Sequence, residues 1–143
     1  MSAAGYSGTP LPRKLGIREG SRVLLVGAPA GFTDALGDLP GGVELAAAGE
    51  LDVVVLFAPD AAALRAQFGG LVTGLASAGG LWVAWPKRSS GVATDLDENV
   101  VRAVGLASGL VDNKVCAIDA TWSGLRFVRR LRDRPPSGRG LSG

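Results

Sequence analysis

The sequence predicts an α/β domain with an open, mostly parallel, twisted sheet, flanked by helices and closed by an antiparallel C-terminal hairpin. Short apolar runs typical of buried strands alternate along the chain with segments whose apolar residues recur at helical spacing. Each parallel connection needs a crossover, so this alternation places helices on both faces of the sheet. The last two strand-like runs are joined by only five residues, which suits an antiparallel pair.

The N-terminal half is predicted to contain three strands. Residues 12–15 can form one helical turn, and the apolar run 22–27 ends in glycine, as a buried strand often does. Residues 31–39 carry apolar side chains at helical spacing, and residues 43–46 alternate like a short edge strand. The run 51–58 gives the strongest strand signal because it is β-branched and apolar throughout.

The middle of the chain predicts the longest helix, over residues 60–77. Asp60 is a good residue to begin it, and the pair Gly79-Gly80 is expected to end it. The strand that follows, residues 81–85, is stopped by a proline. It places Trp82 and Trp85 on opposite faces of the sheet, since they lie three residues apart.

A third helix is predicted over residues 95–108, with Thr94 as its N-cap and Asp97 three residues later in a capping-box arrangement. Two further strands, residues 114–119 and 125–131, complete the sheet, with residues 120–124 as the turn between them.

Composition excludes several kinds of chemistry. The 143 residues contain no histidine and one cysteine, and 47% of them are hydrophobic. Without histidine there is no Ser-His-Asp or Cys-His nucleophile and no histidine-ligated metal. The lone Cys116 forms no intrachain disulfide and no cysteine-rich metal site, so we expect no metal and a reducing, cytoplasmic location.

The chain is predicted to be one domain, residues 1–131, in which residues 1–11 form an arm or a lid. Residues 132–143 are predicted to be a disordered basic tail. We expect no signal peptide and no membrane-spanning segment, and hence a soluble protein. The net charge of +2 arises at the C-terminus, because residues 126–143 carry six Arg and one Asp. The predicted contact with nucleic acid is therefore at most a weak one made by this tail.

The loop after the first strand is the natural place for a cofactor in such a sheet. Gly27 and Gly31 could let backbone N–H groups approach a ligand, whereas Pro29 removes one of those donors. A tight strand-to-helix turn is the competing and favoured interpretation of the same glycines.

The loop from Pro86 to Thr94 is the best candidate site, because it leaves the carboxyl end of a strand and leads into a helix. Its cations, hydroxyls and helix N–H groups suit a phosphate or carboxylate, although Asp95, Asp97 and Glu98 oppose an anion there. A solvated, capped loop is the alternative. The candidate anion-binding residues are Lys87, Arg88, Ser89, Ser90, Gly91, Thr94 and, nearby, Trp122.

For three other residues a functional role is weighed against a structural one. Trp122, in the predicted turn, could wall a ligand cleft or anchor a dimer contact, or it could simply pack. Asp119 could act as an acid or base beside Lys87, but a solvated aspartate at a strand end is favoured. Cys116 alternates with apolar residues in a strand and is interpreted as a small buried side chain without reactive thiol chemistry.

Two resemblances follow from the order of elements and from four motifs. The architecture resembles a shortened S-adenosylmethionine-dependent methyltransferase domain of the Rossmann-like type. The motifs YSGTPL at 6–11, WPK at 85–87, SGVATDL at 90–96 and TWSGL at 121–125 resemble a family of small bacterial proteins of unknown function. The second resemblance implies no activity. The first implies S-adenosylmethionine as the cofactor to consider.

The leading functional hypothesis is a non-catalytic binding or regulatory module that keeps the methyltransferase-like fold but binds no cofactor. It would bind a small anionic ligand or a protein partner through the residues around Lys87. One alternative is a small S-adenosylmethionine-dependent methyltransferase, or another transferase, that uses the loop from Gly27 to Gly31. Another is a homodimeric structural protein joined through the terminal hairpin or an edge strand.

Overall fold

One six-stranded sheet forms the centre of the molecule in the computed structural model, which describes residues 9–47 and 49–134. The strands are β1 (Arg22–Val26), β2 (Glu44–Leu45), β3 (Leu51–Phe57), β4 (Leu75–Pro86), β5 (Leu110–Ala117) and β6 (Trp122–Arg129). The helices are α1 (Leu11–Leu15), α2 (Phe32–Leu36), α3 (Ala61–Thr73) and α4 (Glu98–Ala107). The strand order is β2-β1-β3-β4-β6-β5, with β1 to β4 parallel and β6 antiparallel to both β4 and β5. The predicted fold class is confirmed.

The sheet separates two apolar layers, because alternate side chains of each strand point to opposite faces. On one face, α3 and α4 pack through Leu64, Phe68 and Val101. On the other, α1 and α2 pack through Leu15 and Phe32. The central strand β3 is buried almost throughout, which explains its uniformly apolar sequence.

The two tryptophans of β4 lie on opposite faces, as their spacing predicted. Trp85 joins the layer under α3 and α4, and Trp82 joins the layer under α1 and α2. Trp82 is fully buried and satisfies its indole N–H by donating to the Leu15 carbonyl oxygen at 2.9 Å. That bond fixes the C-terminal end of α1 on the sheet.

The prediction that Gly79-Gly80 ends the long helix was wrong, as was the predicted start of the next strand. The helix α3 begins after Asp60, as predicted, and the carboxylate of Asp60 accepts from the Ala63 N–H. It ends at Thr73 with Gly74 as its C-cap, because Leu75 already pairs with Leu51 in the sheet. Gly79 is needed inside β4, since a Cβ there would lie 2.7 Å from the Leu51 carbonyl oxygen.

The predicted N-cap of the third helix was also wrong. The helix α4 begins at Glu98, and Asp97 caps it by accepting from the Val100 N–H at 2.9 Å. Thr94 cannot serve as the cap because its hydroxyl donates to the Pro59 carbonyl oxygen and accepts from the Leu96 N–H.

The boundaries of three other elements differ from prediction. Both hairpin strands start earlier, because Leu110 already pairs with Arg129 of β6 and Trp122 already pairs with Pro86 of β4. Trp122 therefore lies in a strand and not in the turn. The helix α2 ends at Leu36, since Gly37 takes a backbone conformation with φ of 74°.

The two ends of the chain lie mostly outside the described residues, including residues 1–8 of the predicted arm and residues 135–143 of the predicted tail. Leu131–Asp133 forms a short 3-10 helix after β6. Within the described residues, no helix has the length and apolar character needed to span a membrane.

Candidate functional site

The carboxyl edge of the parallel strands brings most of the candidate residues together. The loops after β1, β3 and β4 leave the sheet at this edge, as does the link between β5 and β6, because β6 runs antiparallel to β4. The Lys87 N–H donates to the Thr121 carbonyl oxygen at 2.8 Å, which joins the loop after β4 to that link. Open α/β sheets bind their ligands at this edge.

The loop after β1 is a tight turn that lies at the surface. Gly27 has a φ of 69°, and a Cβ on it would lie 3.1 Å from the carbonyl oxygen of Phe57 in β3. Gly31 has a φ of 84° as the residue before α2, and a Cβ there would meet no atom within 4 Å. Left-handed backbone and close approach to β3 therefore account for both glycines without a ligand.

Three aromatic rings pack beside this loop. Phe57, the last residue of β3, contacts Phe32 with ring centroids 4.8 Å apart and Trp122 with centroids 5.1 Å apart, both edge to face. Phe32 and Phe57 are buried and Trp122 is half-buried. Trp122 therefore packs against Phe57 at the carboxyl edge of the sheet.

Hydrogen bonds within the chain occupy two hydroxyl groups of the loop after β4, those of Ser90 and Thr94. The Ser90 hydroxyl donates to the Lys87 carbonyl oxygen at 2.7 Å and accepts from the Val92 N–H. The Thr94 hydroxyl donates to the carbonyl oxygen of Pro59 in the loop after β3. A phosphate bound here would have to displace these bonds.

Four carboxylates at the same edge also bond to the backbone. Asp60 and Asp97 cap α3 and α4, and Asp95 accepts from the Ala61 N–H at 2.8 Å. Asp119 accepts from both the Thr121 and Trp122 N–H groups at 2.8 Å and so forms the turn into β6. Asp60, Asp95 and Asp97 thus occupy N–H groups in the first turns of α3 and α4 that an anion would use there.

The cations of the predicted anion site form no ion pair within the described residues. Lys87 is half-buried, whereas Arg88 and Ser89 are exposed on the short 3-10 helix Arg88–Ser90. A cleft of about 330 Å³ lies beside this loop, and its lining includes Arg88, Gly91 and Thr94. The candidate residues therefore lie near one another, as predicted, but of these only Arg88, Gly91 and Thr94 line the cleft.

A larger cleft, of about 840 Å³, lies between the helices α1 and α2 and the link after β5. Its lining is more apolar and includes Leu11, Phe32, Leu36 and Ile118. Gly27 and Ala28 line neither this cleft nor the one beside Arg88.

Cys116 is half-buried in β5. Burial raises the pKa of its thiol, and the nearby cations Lys14 and Lys114 only partly oppose that shift. The cysteine is therefore held as a neutral thiol, which agrees with its interpretation as a packing residue.

Sequence reasoning missed a cationic group at the opposite edge of the sheet. Arg126, in β6, is half-buried beside Arg18 and lines a cleft of about 570 Å³ at the amino ends of β1 and β3. The available signal was an arginine inside an apolar strand, between Leu125 and Phe127.

No family model matches the chain, and no curated protein matches its sequence. Solved structures do match its fold. The pyocyanin biosynthetic protein PhzM superposes with a TM-score of 0.62 at 14% identity, covering 84% of this chain and 53% of its own. Magnesium protoporphyrin IX methyltransferase from Synechocystis PCC 6803, solved with bound S-adenosylmethionine, superposes with a TM-score of 0.54 at 14% identity, covering 84% and 74%.

A third similar structure is the N-methyltransferase NodS from Bradyrhizobium japonicum WM9, in complex with S-adenosylhomocysteine. It superposes with a TM-score of 0.54 at 16% identity, and the match covers 85% of this chain and 88% of NodS. The chain spans about half the length of PhzM. At these identities the similarity establishes the fold, which is the Rossmann-like fold of S-adenosylmethionine-dependent methyltransferases.

Proposed function

We propose that this protein is a non-catalytic binding module, which has the methyltransferase fold but does not bind S-adenosylmethionine. The observation that carries the proposal is the state of the polar groups at the carboxyl edge. Asp60, Asp95, Asp97 and Asp119 all accept bonds from backbone N–H groups, and the hydroxyls of Ser90 and Thr94 are bonded within the chain.

These bonds bear on both catalysis and cofactor binding. A general base must reach the proton that it removes, and a carboxylate that fixes a helix end or a turn cannot move to do so without loosening that element. A cofactor would need donors and acceptors that are not already paired with the chain.

The glycine loop supports the same conclusion. Gly27 lies close to the backbone of β3, and Gly31 supplies a left-handed residue before α2, so neither glycine needs a ligand to account for it. The helix α2 that follows has only five residues, too few for a strong helix dipole at its N-terminus.

Thermal unfolding with and without S-adenosylhomocysteine tests the proposal. A ligand present at about 100 times its Kd stabilises a folded protein by about 2.7 kcal/mol, which is a rise of several degrees in Tm. We expect the Tm to stay unchanged at millimolar ligand, and a methyltransferase known to bind this ligand serves as the positive control. A rise of several degrees would contradict the proposal.

The second candidate is a small methyltransferase, which the fold itself favours together with the exposed position of Gly27 and Gly31 at the carboxyl edge. It predicts the opposite outcome of the same experiment. It further predicts that Gly31→Ala abolishes the ligand-induced shift, because the loop backbone would contact the cofactor.

A further inference from the structure

We propose that Arg126, together with Arg18, binds the phosphate group of a small phosphate monoester in the cleft at the amino edge of the sheet. This site lies at the opposite end of the strands from Gly27 and Gly31. It therefore goes beyond the function proposed above and does not depend on whether S-adenosylmethionine binds.

The Arg126 side chain lies across the neighbouring strand and lines the cleft. It lies against the backbone of Gly80 in the neighbouring strand β4, where a Cβ would collide with its guanidinium. Glycine at residue 80 thus leaves room for the arginine to lie across the sheet and reach the cleft. The register places Arg126 opposite Trp82, on the face of the sheet that α1 covers.

Arg126 forms no ion pair in the part of the chain that the structure describes. Among the described residues, the hydrogen-bond partner of Arg126 is Asn113, whose side-chain oxygen accepts from Nη1 at 3.4 Å. Asn113 is the residue skipped in the pairing of β5 with β6. A neutral amide at that distance leaves most of the guanidinium donors free for a ligand.

Other cations lie close to Arg126. Lys114 lies directly opposite Arg126 in the antiparallel pair, an arrangement that destabilises a sheet when both side chains carry the same charge. Burial lowers the pKa of Arg126, and the charges of Arg134 and Arg18 lower it further. An anion bound between Arg126 and Arg18 would relieve this repulsion.

The cleft beside Arg126 is large enough for a small molecule. Its volume of about 570 Å³ falls within the range of small-molecule sites. Its lining contains Asp52 as well as Glu19 and Ser77, and the oxygens of the latter two can accept from hydroxyl groups. Asp52 already accepts from the Arg22 N–H at 2.8 Å through Oδ2. The forked guanidinium suits the phosphate, and the acceptors suit a hydroxylated body attached to it.

Calorimetric titration of the purified full chain with inorganic phosphate and with ribose 5-phosphate tests the proposal. We expect saturable binding of both, with the ester bound more tightly, and an approximately tenfold or greater loss of affinity in Arg126→Gln. Arg130→Gln is the matched control, because Arg130 is an exposed arginine near the same strand end, and it should bind as the unmodified protein does.

Four results would overturn the proposal. They are the absence of saturable binding, equal affinity in Arg126→Gln and the unmodified protein, an equal loss in Arg130→Gln, and an ester bound no more tightly than phosphate. If Arg126→Gln does not fold, amide chemical shifts of the unmodified protein replace it. Added ribose 5-phosphate should move the signals of residues 18–21, 76–78 and 126, and shifts confined to other regions would contradict the assignment.

Discussion

Substituting Gly27 tests whether the loop after β1 is shaped by packing and not by a ligand. In Gly27→Ala the alanine must adopt the left-handed backbone conformation, with φ of 69°, and this costs about 1–2 kcal/mol. It must also lie 3.1 Å from the Phe57 carbonyl oxygen. Because Phe57 pairs within the sheet and is buried, that backbone cannot easily move away, and overpacking of this kind costs about 1–3 kcal/mol.

Gly31→Ala is the matched control, since Gly31 has a similar φ of 84° but open space around the position of a Cβ. Both variants reduce the entropy of the unfolded chain equally, so this effect cancels between them. We expect Gly31→Ala to lower the free energy of unfolding by about 1–2 kcal/mol. We expect Gly27→Ala to lower it by about 1 kcal/mol more, because only its methyl group meets β3.

Urea unfolding followed by tryptophan fluorescence measures both values, and in a domain of this size each kcal/mol corresponds to about 3–4 °C in Tm. A Gly27→Ala variant no less stable than Gly31→Ala would contradict this prediction. In that case the close approach to Phe57 would not be what requires glycine at residue 27.

Three further predictions concern single side chains. Trp122→Ala should lower the free energy of unfolding by about 2 kcal/mol in a urea titration, because it removes the edge-to-face contact with Phe57. Trp122→Phe should lower it by less, and an equal decrease in the two variants would contradict the packing role. Asp97→Ala should cost about 1 kcal/mol as a lost helix cap, measured in the same way, and a neutral effect would argue against Asp97 as the cap of α4. Burial raises the pKa of the Cys116 thiol, so its contribution to stability is present at neutral pH and is lost as pH rises above about 8.5. Unfolding free energies of Cys116→Ala should therefore fall less between neutral and alkaline pH than those of the unmodified protein, and parallel curves would contradict this.

The sheet could be predicted from sequence because its signals are local. The buried run of β3 and the three-residue spacing of Trp82 and Trp85 follow from strand geometry alone. Asp60 could also be predicted, since its carboxylate caps a helix that begins at the next residue.

The errors arose where a distant contact overrides a local preference. Gly79-Gly80 is a common helix end, yet both residues lie in β4, where the Leu51 carbonyl oxygen and the Arg126 side chain leave no room for a Cβ. Thr94 is a good N-cap by type, but its hydroxyl instead bonds the Pro59 carbonyl oxygen, 35 residues away.

The candidate site could be predicted in its place but not in its chemistry. The carboxyl edge follows from the order of strands, and that order brings Lys87 and Trp122 together. The hydroxyls and carboxylates there bond to backbone groups that come close only in the folded chain. Asp95, for example, accepts from the Ala61 N–H, 34 residues away. The group around Arg126 escaped notice because Gly80 and Arg18 approach it only in the folded sheet.

Direct calorimetric titration with S-adenosylmethionine tests the central claim, that the methyltransferase fold here contains no cofactor site. At the carboxyl edge, bonds within the chain occupy two hydroxyls and four carboxylates, those of Ser90, Thr94, Asp60, Asp95, Asp97 and Asp119. We therefore expect no saturable heat with ligand at about 1 mM. Saturable binding with a Kd in the micromolar range, weakened by Gly31→Ala, would contradict it.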